Sequence, residues 1–321
     1  MDIPGNFGMV GDSPAFMIFW RSLQRYSAHN ATVLISGETG AGKELAARAL
    51  HYLGERSGGP FLPVNCGAVP DSLLESEFFG YLRGAFTDAR TPQVGIVEQA
   101  QGGTLFLDEV EALSQRGQSV LLRFLQDFHY RPLGARAERI ADVRVVAATN
   151  VNLDLLVKQR GFRVDLMHRL KTLVLDVPPL RERLSDIELI ADAILDHWSE
   201  KTKQPRKRLS RSAMILLEAY DWPGNVRELE NVLLNGVIAT DEQEINESHL
   251  HRIAPHAGIF GESRVESYAT AKERALETFE RNYLTELMRR TNGNITKAAM
   301  ISRQHRTALS KLLKRYEIPR E

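Results

Sequence analysis

The chain has 321 residues, 43% of them hydrophobic, with 41 Lys and Arg balancing 41 Asp and Glu. This suits a folded protein of two or three domains; the zero net charge predicts no nucleic-acid partner for the chain as a whole, although a zero sum can conceal local asymmetry. Cys66 is the only cysteine, which excludes an intrachain disulfide and points to a reducing compartment, while the absence of any apolar run near the roughly 18 residues that span a bilayer, and of a basic-then-apolar leader in MDIPGNFGMVGDS, predicts a cytoplasmic protein with no membrane partner.

Between 31 and 175 short β-type runs alternate with helical ones. Strands are expected at 32–36, 61–65, 104–107, 143–148 and 173–177, and helices at 42–53, 71–78, 115–128 and 152–159. Alternation of this kind predicts an α/β fold, a parallel sheet wrapped by helices. Residues 185–250 read as all helical, with starts at Ser185 and Ser210. Residues 254–270 mix Pro, Gly and Ser with weak periodicity and read as a linker. From 271 to 321 the chain is helical again, and basic.

The first chemical signature is GETGAGKE at 37–44, placed after the strand TVLIS and before the helical run ELAARALHYL. This is the setting of a phosphate-binding loop. Gly37, Gly40 and Gly42 permit backbone angles that turn amides inward onto phosphates. Glu38, Thr39 and Ala41 complete the loop, and Lys43 brings a point charge toward the β- and γ-phosphates at a helix N-terminus. Glu44 stands where a Ser or Thr ordinarily ligates Mg²⁺. The second signature is GGTLFLDEVEAL at 102–113, a strand ending in Asp108 and Glu109. Asp108 is placed to hold the Mg²⁺ shell and Glu109 to polarise an attacking water. VVAATN at 145–150 is a third strand ending in a polar residue; Asn150 could order the water or γ-phosphate, or equally cap the helix at 152–159, and the cap is favoured when the residue is taken alone.

Together these pieces resemble the AAA+ domain of bacterial sigma-54-dependent transcription activators, over residues 9 to about 250. GETGAGKE is similar to that family's Walker A, which also carries Glu after the lysine, and GGTLFLDE to its Walker B. The resemblance implies that Asn65, in VNCGAV, restrains the catalytic glutamate. It also implies that FRVDLMHRL at 162–170 offers Arg163 and Arg169 as arginine fingers to a neighbouring subunit's nucleotide. Charge spreads over the γ-phosphate oxygens during cleavage, and an arginine supplied in trans neutralises it. On one helix these two arginines would stand about 240° apart, fitting one for the phosphate and one for the subunit interface. PPLRERLSDI at 178–187 and WPGNVREL at 222–229 resemble further family signatures, the second placing Arg227 as sensor II on a helical lid. Shared sites imply a ring, commonly a hexamer, and a dimer is expected as the resting state.

GAFTDA at 84–89 is similar to the family's GAFTGA loop, whose implied task is to touch sigma-54 as the nucleotide state changes. An exposed Phe86 suits that task, since an aromatic offers much contact area at small entropy cost. Gly84, Ala85, Thr87 and Ala89 match, and Asp88 departs from the family's glycine. Asp tolerates tight turns, but its charge could repel an acidic partner, pair with Arg83 or Arg90, or select a variant partner.

Residues 294–316 (NITKAAMISRQHRTALSKLLKRY) hold six Lys and Arg and no acidic residue, the local asymmetry that the zero total conceals. Apolar residues from Ile295 to Tyr316 recur at helical spacing, and a tight joint near Ser302–Gln304 predicts a helix-turn-helix. The segment resembles the Fis-type DNA-binding domain, with Arg303 where many relatives have a turn glycine. Arg306, Thr307 and Ser310, with His305 beside them, are the expected groove contacts, Arg303 is a further expected DNA contact, and Lys311, Lys314 and Arg315 are expected as phosphate contacts or solvated charge. The alternative is a basic amphipathic helix packed on the ATPase.

The expected layout is a short segment (1–8), an AAA+ α/β subdomain (9–180), a helical lid (181–253), the linker and a Fis-type helix-turn-helix (271–321). Only about eight residues precede the ATPase, a layout that resembles the phage-shock activator type and implies control by a separate regulatory protein or by abundance. The leading expectation is an ATP- and Mg²⁺-dependent activator that binds double-stranded DNA and remodels sigma-54 RNA polymerase. The alternative is a DNA-binding regulator or repressor that keeps the ATPase fold without engaging sigma-54.

Overall fold

A computed structural model describes residues 8–87, 89–250, 280, 283–284, 287–288, 291, 293–302 and 304–315, with the side chains of 314 and 315 outside the description. The chain forms two compact units, Met1–Pro255 and His256–Glu321.

The first unit is built on five parallel strands: β1 (Val33–Ser36), β2 (Phe61–Asn65), β3 (Thr104–Asp108), β4 (Arg144–Thr149) and β5 (Leu173–Asp176). Their spatial order is β2-β3-β4-β1-β5. Val33 pairs with Val146 on one side and Leu173 on the other, so β1 lies inside the sheet. The central strands are buried along nearly their whole length, as expected where helices cover both faces of a parallel sheet.

Alternation along each strand sorts side chains between two cores. Val33, Ile35, Phe106, Val146 and Ala148 pack with α1 (Pro14–Ser27) and α2 (Lys43–Tyr52). Leu34, Leu105, Leu107, Val145 and Ala147 pack on the other face with α5 (Gln115–Asp127) and α7 (Val164–Leu170). The short helices α3 (Leu74–Phe79), α4 (Ile96–Gln99) and α6 (Leu153–Lys158) also contribute to this second layer. Arg144 is buried, and its guanidinium donates to the Tyr26, Ser27 and Leu50 carbonyls, so one cation holds the C-terminal ends of α1 and α2. Burial pulls its pKa down to about 10.

The lid comprises α8 (Ile187–Thr202), α9 (Arg211–Glu218) and α10 (Asn225–Ala239) around a core of Leu180, Ile187, Leu217, Trp222, Leu229 and Leu233. Ser210 caps α9 as expected, accepting from the Ala213 amide. Ser185 does not start α8: it lies in a 3₁₀ turn, Leu184–Asp186. The Asp186 carboxylate at the head of α8 instead accepts from the Asp12 and Ser13 amides and the Ser13 hydroxyl. That buried carboxylate ties the segment before α1 to the start of the lid. The lid is also not wholly helical, because Arg208–Leu209 pairs in parallel with Glu244–Ile245. Two-residue pairings are too short to leave a period in a sequence.

In the second unit, α11 (Ile295–Ser302) and α12 (Arg306–Arg315) enclose Ala298, Ala299, Leu309 and Leu313 together with Leu284, Leu287 and Met288. The Asn294 side chain accepts from the Thr296 and Lys297 amides and caps α11. The joint falls after Ser302, where the Gln304 amide still reaches the Ala299 carbonyl. The linker at 254–270, Asp88, Arg303, Tyr316 and the side chain of Lys314 lie outside the described residues.

Candidate nucleotide site

The site forms where β1, β3 and β4 end. Leaving β1, the chain turns through Gly40 (φ +77°) and Gly42 (φ +104°) into α2. A Cβ on Gly40 would come within 2.2 Å of the Gly224 carbonyl oxygen, so only glycine fits beneath the lid there. The Lys43 ammonium donates to the Gly37 and Glu38 carbonyls at 2.9 and 3.1 Å. Burial pulls its pKa down, and the nearby carboxylates of Asp108, Glu111 and Glu109 push it back up against Arg227. Glu44 forms an i,i+4 pair with Arg48 at 2.8 Å, and the Arg48 guanidinium lies 4.9 Å from the Phe61 ring centroid.

Strand register brings the acidic pair to this loop. Asn65 at the end of β2 is opposite Asp108 at the end of β3. Burial raises the Asp108 pKa, partly offset by the Glu109 amide and Lys43. Glu109 takes a left-handed backbone, φ 53° and ψ 49°, a conformation that costs free energy for a residue with a Cβ and recurs at functional sites. Its Oε2 accepts from Asn65 Nδ2 at 3.2 Å, and Asn65 Oδ1 in turn accepts from the Gly67 amide at 2.8 Å.

Asn150 is not a helix cap. Asn152 caps α6, accepting from the Asp154 and Leu155 amides. Asn150 turns toward the loop instead: its Nδ2 reaches Thr39 Oγ1 at 3.5 Å and its amide donates to Glu111 Oε1 at 3.3 Å. A cleft of about 330 Å³ opens on this edge, lined by Gly37, Asn150, Asp176 and the Lys171–Asp154 pair. It adjoins Lys43 and Asp108 without including them.

The lid closes on the loop through two residues the sequence reading left unassigned. Arg181 forms a bidentate pair with Glu38, both bonds 2.7 Å. Asn225 is fully buried with φ 52°. It donates to Glu38 Oε2 and to the Thr39 carbonyl, each at 3.1 Å, and accepts from the Leu180 amide at 2.7 Å. Arg181 and Asn225 hold the Glu38 carboxyl down at about 2. Expected as part of the nucleotide cradle, Glu38 thus commits its side chain to the lid. Both partners sat in quoted signatures, but only the fold shows that those signatures meet. The Val226 and Arg227 amides also donate to the Gly40 carbonyl, at 3.1 and 3.4 Å, setting the start of α10 over the loop.

The two finger arginines do not share a helix. Arg163 precedes α7 with an extended backbone, pairs bidentately with Asp165 and donates to Ser119 Oγ. Its amide is held by Gln118 Oε1, so the 240° separation expected for one helix does not apply. Arg169 lies exposed in the last turn of α7, its guanidinium without a hydrogen-bond or ion-pair partner among the described residues.

In the loop at 84–89, Gly84 has φ +81°. Its amide donates to the Ala89 carbonyl and the Ala89 amide to Phe86, which folds the segment into a closed turn. Phe86 is 43% exposed and its ring centroid lies 4.9 Å from that of Tyr81. Thr87 is exposed, whereas Ala89 is buried and closes the turn rather than presenting a surface. In the second unit His305, Arg306, Thr307 and Lys311 are exposed along the start of α12, and Ser310 is half-buried.

A lysine-bearing glycine loop facing a strand-end carboxylate pair beneath a helical lid defines a P-loop nucleotide-binding protein of AAA+ architecture. Residues 9–176 match the Sigma-54 interaction domain, 181–257 the AAA+ ATPase lid domain and 275–316 the Fis family of bacterial regulatory proteins. The chain belongs to the Sigma-54 interaction domain family. Among its relatives is the hydrogenase transcriptional regulatory protein HoxA of Bradyrhizobium diazoefficiens, 41% identical over 92% of this chain and 61% of the relative. Another is the regulatory protein AtoC of Escherichia coli, 39% identical over 97% of this chain and 68% of the relative. The chain therefore spans about two thirds of these relatives' length. A crystal structure of NtrX from Brucella abortus in complex with ATP aligns over 97% of this chain and 69% of that one, with TM-score 0.70 and 31% identity.

Proposed function

We propose that the chain is an ATP-hydrolysing transcription activator that binds DNA through α11 and α12 and remodels sigma-54 RNA polymerase through the loop at 84–89. The observation that carries this reading is the Asn65–Glu109 hydrogen bond at the ends of adjacent strands, beside Lys43 and Asp108 in a chain of this family. Residues 37–44 bind the phosphates, with Lys43 leaving its carbonyl partners for phosphate oxygens. Glu109 takes the proton of the attacking water, and Asn65 holds Glu109 back until the γ-phosphate is in place. Asn150 orients the water or γ-phosphate, and Arg227 senses the nucleotide from the lid. Arg169, exposed and unpaired among the described residues, is the better phosphate finger; Arg163, bound to Asp165, serves the interface. Both act in trans, which requires a ring, proposed to be a hexamer with a dimer at rest.

Mg²⁺ fits the carboxylate-rich surroundings of Lys43, where it would neutralise phosphate charge. Asp108 would hold the ion together with the nucleotide's own oxygens. The division into 9–180, 181–253, 254–270 and 271–321 is likewise proposed. So is a cytoplasmic location; no helix among the described residues is long and apolar enough to cross a membrane.

The test is complex formation in vitro. Purified protein, sigma-54 and a transition-state analogue of ATP are expected to give a stable complex by gel filtration. ATP turnover without that complex would favour a regulator that does not engage sigma-54, and Asp88→Gly would then show whether the charge blocks the contact. Lys43→Ala is expected to abolish nucleotide binding. Glu109→Gln is expected to bind without turnover; normal hydrolysis by that variant would refute the assignment of the base.

A further inference from the structure

Glu111 lies in the 3₁₀ turn Val110–Ala112, just past the Asp108–Glu109 pair. Its Oε1 accepts from the Asn150 amide at 3.3 Å. Its Oε2 is buried with no hydrogen-bond partner among the described residues. The carboxylate also lies close enough to Lys43 and Asp108 to act electrostatically on both. A carboxylate with one buried, unmet oxygen is a net cost to the fold, since that acceptor gives up its solvation and gains no bond in return. A residue kept for stability alone would meet both oxygens. What Glu111 does accomplish is geometric. Asn150 follows the last residue of β4 and has only one other polar tether among the described residues, the long contact to Thr39. The 3.3 Å bond to Glu111 joins it to the Asp108–Glu109 turn, so three separate segments of the site meet at Asn150.

We propose that Glu111 is a positioning residue of the nucleotide site, which holds the backbone amide of Asn150 so that its side-chain carboxamide is aimed at the phosphate-binding loop. The inference rests on the ATPase reading and adds a residue to it. A side chain of this kind acts on turnover rather than on ground-state affinity, because Lys43 and the loop amides bind the phosphates whether or not Asn150 is held.

The test compares wild type, Glu111→Ala and Glu111→Gln as full-length chains. Outer residues that orient a reacting centre are worth about 10- to 100-fold, so Glu111→Ala is expected to lower kcat about tenfold or more. Its affinity for a fluorescent ADP analogue is expected to stay within about threefold of wild type, with a melting temperature unchanged or higher. Glu111→Gln keeps a carbonyl acceptor for the Asn150 amide and is expected to restore most of kcat. Hydrogen exchange in a peptide covering 145–152 is expected to speed up in Glu111→Ala and to return toward wild type in Glu111→Gln. Wild-type turnover in Glu111→Ala, a glutamine variant as impaired as alanine, or a fall in melting temperature matching the loss of kcat would each overturn the proposal. If wild type itself hydrolyses no ATP, the ATPase reading fails instead, and the exchange measurement still decides whether Glu111 holds Asn150.

Discussion

Replacing Asn225 by alanine removes three hydrogen bonds at once: from the Leu180 amide, to the Thr39 carbonyl and to Glu38 Oε2. The residue is fully buried, so little water is at hand to replace them. A neutral hydrogen bond is worth about 1 kcal/mol net, and one to a charged partner about 1.5 kcal/mol at the low end of its range. The low end applies because the Glu38 side chain is 41% exposed. Alanine must also hold φ near 52°, which costs a residue with a Cβ about 1 kcal/mol more than it costs asparagine. The total is about 4.5 kcal/mol. At roughly 2–4 °C per kcal/mol for a unit of this size, the melting temperature is expected to fall by about 9–18 °C. All three tryptophans, Trp20, Trp198 and Trp222, lie in the first unit, so tryptophan fluorescence during heating reports that unit's transition. Asn225→Gly separates the two contributions: it loses the same bonds without the backbone penalty and is expected to recover about 1 kcal/mol. A shift below about 2 °C for alanine, or a glycine variant less stable than alanine, would refute this account of how the lid is held.

Other expectations follow from the same geometry. Arg144→Met leaves the Tyr26, Ser27 and Leu50 carbonyls without their cationic donor and is expected to destabilise the first unit by about 3 kcal/mol in urea unfolding; an unchanged midpoint would show that the clamp carries no stability. Burial, reinforced by the charges of Asp108, Glu111 and Glu109, pushes the Cys66 thiol up to about 12, so the folded protein is expected to resist iodoacetamide at pH 8 and to label fully once unfolded, as read by mass spectrometry. Glu38 is held at about 2, against a model-peptide value of 4.5. A depressed folded-state pKa gives stability that is fully present above the unfolded value and lost as pH falls through the folded one. The Glu38–Arg181 pair is therefore expected to add no pH dependence above about pH 5.5, about one unit over that unfolded value, and Arg181→Ala is expected to lower stability by the same amount at pH 6 and pH 8.5. A difference between those two values would indicate a second titrating partner.

The strand–loop–helix context of GETGAGKE, the strand ending in Asp108–Glu109 and the basic amphipathic tail were all legible in the linear chain. Each is a local pattern, set by backbone permissiveness, side-chain period or the sign of nearby charges. Even Asn65 could be named, by resemblance, although its contact with Glu109 depends on β2 and β3 lying side by side. The register of a sheet and the closure of a lid are different in kind. Asn150 looked like a cap because an asparagine before a helix usually is one; the chain runs two residues further, and Asn152 takes that task. The two finger arginines looked like one helix because nothing local marks where α7 starts; Gln118, forty-five residues earlier, sets that point by holding the Arg163 amide. Glu38 read as part of a phosphate cradle, yet its carboxylate belongs to Arg181 and Asn225, 143 and 187 residues away. Local chemistry was thus settled by the order of residues. Which of those groups meet, and which Glu111 oxygen finds no partner among the described residues, was settled only when packing closed the lid and the strands came into register, because a hydrogen bond requires angstrom-scale proximity that sequence separation does not encode.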